Sequence, residues 1–122
     1  MKNSIKIIEF YNNLEKGSSP KNINILDPYS DKKVQKIYKK FYKEFFNDTR
    51  RRIIMFGINP GRFGGGITGI PFTDPYHLTE KCKIKNDFDQ KKELSSTFIY
   101  EMIDKFGGPK NFYNKFLISS IC

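Results

Sequence analysis

Between Arg52 and Asp74 the chain carries one ionisable residue, Arg62, although 29% of its residues overall are charged. The stretch opens on an apolar run, Ile53 to Ile58, which stops at Asn59-Pro60-Gly61 and passes into a glycine-laden loop ending near Phe72. An apolar run of strand length without alternation reads as a strand buried on both faces, as in a parallel sheet. Open α/β sheets bind ligands beyond the carboxyl ends of their strands, and glycines let backbone approach a ligand closely. The loop is therefore where a ligand is expected, and the rest of the chain reads as its scaffold.

The flanking sequence supplies helices and one further strand. From Ser4 to Lys16, Ile5, Ile8, Tyr11 and Leu14 recur at helical spacing, with Gly17 placed as a C-terminal cap. Ile23 and Ile25 suggest a short extended piece ending at Asp27-Pro28-Tyr29. Ser30 or Asp31 can cap a second helix whose apolar stripe is Val34, Ile37, Tyr38, Phe41, Phe45 and Phe46. The opposite face, Lys32, Lys33, Lys36, Lys39, Lys40 and Lys43, reads as an ordinary solvated face, with a phosphate-contacting stripe as the alternative. Arg50-Arg51-Arg52 either grips phosphate or marks the solvated entrance of the strand. Tyr76 to Asp89 gives no firm signal. A third helix spans Glu93 to Phe106, with Leu94, Phe98, Met102 and Phe106 as its apolar stripe and Ile99 and Ile103 alongside. Asn111 to Asn114 reads as a turn. Phe116 to Cys122 then reads as a second buried strand, reached through a helix and so parallel to the first.

The totals bound the function. At 122 residues and 38% hydrophobic content, one domain or part of one is expected. Two strong strands are fewer than a doubly wound sheet uses, which favours the first half of a larger domain or a naturally truncated copy of one. A net charge of +9 and a pI near 9.5 favour a polyanionic partner, nucleic acid first. The heavy use of Lys, Asn, Ile, Phe and Tyr together is also what AT-rich genomes impose, so charge alone lifts that reading only modestly. Cys82 and Cys122 lack the paired spacing of a metal site, and the single histidine, His77, cannot complete a ligand set. Neither metal nor cofactor is expected; two buried, reduced thiols of a cytoplasmic protein are. Lys6 and Glu9 interrupt the N-terminal apolar residues, so no signal peptide is read, and no run approaches the ~18 apolar residues of a membrane span.

Several mechanisms compete for the loop. Gly64-Gly65-Gly66-Ile67-Thr68-Gly69 matches the dinucleotide pattern G-x-G-x-x-G, with Asp87 at a suitable distance for a ribose contact. In that pattern, however, the glycines follow the strand at once and open a helix, whereas here Asn59-Pro60-Gly61 intervenes and Pro71 closes the loop. A P-loop lacks its Gly-Lys-Ser/Thr ending. A purely structural turn leaves the polar Asn59 at the mouth of a buried strand unexplained.

The run from Gly57 through Phe72 resembles, without a gap, the first active-site motif of the uracil-DNA glycosylase superfamily. It is most similar to the single-strand-selective monofunctional branch, whose motif reads Gly-Met-Asn-Pro-Gly-Pro-Phe-Gly, three variable positions, then Gly-Val-Pro-Phe-Gly. Weaker likeness reaches Asp27-Pro28-Tyr29, the Ser95-Ser96-Thr97-Phe98 helix and the terminal strand. The resemblance implies a three-layer α/β/α fold with a parallel sheet, residues 1–122 being the N-terminal part of one domain, incomplete at the C-terminus. It implies a monomeric enzyme that hydrolyses the N-glycosidic bond of uracil or a related base in single- or double-stranded DNA, without metal or cofactor. Asn59 would orient the attacking water, Phe72 would stack on the base, and Ile58, Gly61 and Phe63 would complete the base pocket. Arg62 and Thr68 would contact DNA phosphate.

The departures are as specific as the matches. Arg62 replaces the family's proline, and Thr73 stands where glycine is usual. Where the family carries a base-reading Asn two residues before a Cys on the second strand, this chain has Ser120 before Cys122. One hydroxyl cannot reproduce an amide's paired donor and acceptor. The family's second motif, with the histidine that steadies the departing uracil anion, would lie beyond Cys122, and His77 is expected to be a surface or locally bonded residue instead. A non-catalytic nucleic-acid-binding module and a nucleotide-binding domain stay open as alternatives.

Overall fold

A computed structural model of the chain describes residues 1–13, 31–57 and 65–120. In chain order the elements are α1 (Asn3–Asn12), α2 (Lys32–Phe45), β1 (Ile53–Gly57), α3 (Gly65–Thr68), α4 (Pro75–Glu80), α5 (Leu94–Lys105), α6 (Pro109–Lys115) and β2 (Phe116–Ser120). The two strands pair in parallel, from Ile53 opposite Phe116 to Gly57 opposite Ser120. This is the α/β arrangement with a parallel sheet that the sequence predicts. The extended piece at Ile23 and Ile25, the Asp27-Pro28-Tyr29 turn and the Gly17 cap lie outside the described residues.

Asp31 starts α2 by accepting a hydrogen bond from the Lys33 N–H at 2.8 Å. Its expected stripe is buried at Val34, Tyr38 and Phe41, joined by Tyr42, which sequence periodicity did not single out. Tyr11 of α1 stacks on Tyr42 at 5.7 Å between ring centres, and Tyr113 of α6 packs among Phe41, Phe45 and Phe46 at 5.2–5.7 Å. Aromatic rings thus supply the core that joins α1, α2 and α6. Arg52 fastens the same corner. Its guanidinium lies 4.5 Å over the Phe46 ring and donates to both Asp48 carboxylate oxygens at 2.7 and 2.8 Å, to the Phe45 carbonyl and to the Tyr113 carbonyl. Of the three consecutive arginines, Arg52 is therefore turned inward, while Arg50 and Arg51 are exposed. The Arg52 hydrogen bond holds the Asp48 carboxyl down at about 2.

Three expectations require correction, and a stretch without a signal holds a helix. β1 is not buried on both faces: Ile53, Ile54 and Phe56 are 57%, 51% and 64% exposed. Among the described residues β2 is its only strand neighbour, and an apolar groove lies between Ile7 and Phe10 of α1 and the sheet residues Ile54, Phe56 and Leu117. On α5 the apolar stripe faces outward, with Leu94 and Phe98 exposed, and the buried residues are Ser96, Tyr100 and Ile103. The polar pair goes inside because each hydroxyl finds hydrogen-bond partners there. Residues 109–115 form α6 rather than a turn, opened by Pro109 at its first position. The silent stretch from Tyr76 to Asp89 holds most of α4, whose start is encoded just before it in Asp74-Pro75, an N-cap followed by an N1 proline.

Candidate functional site

The distal half of the loop, from Gly65 onward, is built as a series of locked turns. After the single helical turn of α3, Gly69 adopts a positive φ of 75°, and Ile70 donates its N–H to the Thr68 hydroxyl at 3.1 Å. The Thr68 hydroxyl in turn donates to the Thr73 carbonyl at 2.7 Å. Thr68 is fully buried. This corrects its assignment to DNA phosphate: a side chain without exposed surface, committed to holding Thr73, is unavailable to a phosphate.

Phe72 carries the one backbone feature in this segment that its residue type does not favour, a φ of 56°. A non-glycine residue in the left-handed region costs of the order of 1–2 kcal/mol and is retained where the surroundings over-determine it. Here they do. The half-buried Phe72 ring closes on Gly57, the last residue of β1, so tightly that a methyl on Gly57 would overlap ring atoms Cε2 and Cζ. Glycine at this position is thus required by close approach of a side chain.

On the other side of Phe72, every polar atom of Thr73 is engaged. Its N–H donates to the Ile70 carbonyl at 3.2 Å, its carbonyl accepts from Thr68, and its hydroxyl meets the Tyr100 hydroxyl at 2.8 Å and the Pro71 carbonyl at 3.3 Å. Tyr100 is a hub, reaching also the Tyr113 hydroxyl at 2.9 Å and the Cys82 thiol at 3.2 Å. Burial pushes the Tyr100 and Tyr113 phenols up and the Cys82 thiol up to about 12, so the cluster is neutral.

Asp74 continues the anchoring. It is fully buried, gives its N–H to the Ser96 hydroxyl at 3.0 Å, and accepts from the His77 N–H at 2.7 Å, His77 Nδ1 at 2.8 Å and the Glu93 N–H at 2.7 Å. His77 is locally bonded and buried, stacked on Tyr100 at 5.3 Å; it is not at the surface. Sequence reasoning passed over Tyr100 and Asp74. The signal for Tyr100 was its place four residues after Ser96 on the helix face shared with Ile103, and that for Asp74 its place as N-cap before Pro75.

Of the residues assigned to the site, Ile58, Asn59, Gly61, Arg62 and Phe63 lie outside the described residues. The register sets the Ser120 backbone beside Gly57, at the strand ends where Phe72 packs; the Ser120 side chain is outside the description. The loop's glycines open a helix of only four residues, ended by Gly69 and Pro71, and Asp87 is exposed. That is unlike the long helix on which a dinucleotide pyrophosphate rests. Among the described residues no cluster of three metal-ligating side chains occurs, and no helix is long and apolar enough to cross a membrane.

A parallel α/β unit with its loop closing an aromatic ring onto the carboxyl end of the first strand places the chain in the α/β class. No family model and no curated protein matches the chain. A solved structure does: that of wild-type SMUG2 from Pedobacter heparinus, a uracil-DNA glycosylase family member, is 43% identical with a TM-score of 0.90 over 98% of this chain. The chain belongs to the uracil-DNA glycosylase superfamily, as its Gly57 to Phe72 motif indicated. It spans 53% of the length of that relative.

Proposed function

We propose that the chain is the base-recognising, N-terminal part of a domain that hydrolyses the N-glycosidic bond of uracil or a related damaged base in DNA. The observation that carries this reading is the packing of Phe72 against Gly57. It fixes an aromatic ring at the strand end from which the Asn59 segment departs. Extruding a base from the stack costs a few kcal/mol, and stacking on an aromatic ring returns about 1–3 kcal/mol per base.

In this reading Asn59 orients a water toward the anomeric carbon. An amide is a weak base, but the transition state is cation-like at that carbon, so orientation matters more than deprotonation. Ile58, Gly61 and Phe63 line the base, Arg62 contacts phosphate, and the Ser120 hydroxyl meets the base edge with less discrimination than an amide would provide. The group that steadies the departing uracil anion comes from the part of the fold that this chain does not span. The exposed apolar sheet face at Ile54 and Phe56 supports the same domain reading, since it is where further elements of one domain would pack.

The test is incubation with uracil-containing single-stranded oligonucleotide followed by alkaline cleavage of abasic sites. The chain alone is expected to give little cleavage. Mixed with a separate polypeptide comprising the uncovered part of the Pedobacter heparinus protein, it is expected to give abasic sites, and Asn59→Ala is expected to abolish them. Salt-sensitive DNA binding without abasic sites in the mixture would instead favour a non-catalytic nucleic-acid-binding module.

A further inference from the structure

Phe72 faces two independent constraints, and only one is visible in the motif. Gly57 makes room for the ring; something else must hold the backbone at a φ of 56° so that the ring points there. The chain departs from its family's motif at the next residue, Thr73 in place of glycine, and Thr73 is fully buried with its hydroxyl on Tyr100. One proton arrangement satisfies the whole cluster. Thr73 donates to the Pro71 carbonyl and accepts from Tyr100, while Tyr113 and Cys82 donate to Tyr100. Tyr100 then uses its one donor and both acceptor positions. Thr73 is thereby pinned from α5, an element remote in sequence from the loop, through a hydroxyl that a glycine would lack.

We propose that Tyr100 is a positioning residue: its hydroxyl, acting through Thr73, holds the Phe72 ring on Gly57 in the orientation that stacks on a base. The base-stacking part rests on the proposed function; the positioning part rests on geometry alone. Burial keeps the Tyr100, Tyr113 and Cys82 hydroxyls and thiol neutral, so the device works by hydrogen-bond direction.

The experiment is NMR on the full chain, reading the ring-current shift of the Gly57 Hα protons and the Phe72 amide coupling that reports φ, in four proteins: the unaltered chain, Tyr100→Phe, Thr73→Val and Thr73→Ser. Tyr100→Phe keeps the ring stacked on His77 and removes only the hydroxyl. The Gly57 shift is expected in the unaltered chain and in Thr73→Ser, and is expected to collapse toward the random-coil value in Tyr100→Phe and Thr73→Val. Each protein is then titrated with uracil-containing single-stranded oligonucleotide against a thymine control. Affinity should fall about fivefold or more in the two variants that release the ring, the lower end of what base–aromatic stacking contributes. A folded Tyr100→Phe or Thr73→Val that keeps the Gly57 shift overturns the positioning role. Should Tyr100→Phe not fold, Thr73→Val against Thr73→Ser decides it alone. An unaltered chain with the Gly57 shift but no uracil-dependent change would overturn Phe72 as the stacking residue while leaving the positioning intact.

Discussion

In a Gly57→Ala variant the new methyl would fall on the Cε2 and Cζ atoms of Phe72, with Cδ2 a further 3.3 Å contact. Nonbonded carbons settle at about 3.5–4.0 Å, so the ring would have to retreat by roughly 1–2 Å. Phe72 cannot retreat freely, because Thr73 behind it is bonded at its N–H, carbonyl and hydroxyl. Overpacking a constrained site costs about 1–3 kcal/mol. Gly57 has no positive φ, so alanine is otherwise acceptable there. In a Phe72→Ala background the obstacle is gone, and alanine replaces glycine within a strand, which is favourable by about 0.5–1 kcal/mol. The sign of the substitution should therefore reverse between the two backgrounds, giving a coupling of about 1.5–4 kcal/mol. Urea denaturation of the four proteins, read as midpoint shifts at constant slope, measures it. Equal effects of Gly57→Ala in both backgrounds would show that the ring does not sit on Gly57 and would remove the basis for reading Phe72 as part of the site.

Three other substitutions test the scaffold. Asp48 has a folded-state value of about 2, below its unfolded value near 3.8, so its contribution is complete above about pH 4–5 and is lost as pH falls toward 2. Asp48→Asn should flatten the stability profile over that window by about 1–2 kcal/mol, a range discounted for the carboxylate's partial exposure; an unchanged acid limb in urea titrations would contradict the pairing with Arg52. Asp74→Ala removes the α4 cap and leaves the Glu93 N–H without its acceptor, a loss of about 2–3 kcal/mol. Hydrogen exchange would then speed at His77 and Glu93, and protection equal to the unaltered chain would argue against the anchoring. In a Cys122→Ser background, Cys82 should react with a thiol reagent at pH 8 far more slowly than a free cysteine, because burial raises it to about 12. Reaction at the free-thiol rate would mean that the cluster opens.

What was legible in the sequence is what local pattern encodes. The parallel strands, the Asp31 cap and the buried stripe of α2 follow from periodicity and end signals, and the motif from Gly57 to Phe72 pointed to the family. The misreadings of burial share one cause. Apolar residues were assigned to the interior, yet Ile54, Phe56, Leu94 and Phe98 are exposed, while Thr68, Thr73, Asp74 and Ser96 have essentially no exposed surface. Hydrophobicity ranks a residue's preference for burial only when its polar atoms have no better offer. In this chain the polar residues that interrupt or follow the loop find one another, and that pairing spans separations such as Asp74 to Ser96 and Thr73 to Tyr100, which no periodicity reports.

The same pairing explains how the distal end of a loop so rich in glycine is held in a defined geometry. Glycine permits close approach but gives no rigidity, and each unrestrained glycine adds entropy that binding must later remove. The distal half solves this by ending in Thr73 and Asp74, each satisfied by groups on and around α5, so that ordering is complete before any ligand arrives. Phe72 on Gly57 is the point where this support meets β1. On the proposed reading of Phe72, its preorganisation thus depends on α5 as much as on the motif itself. A chain with the motif intact but without the hydroxyls at Thr73 and Tyr100 would keep the family's signature and lose the geometry that gives it meaning.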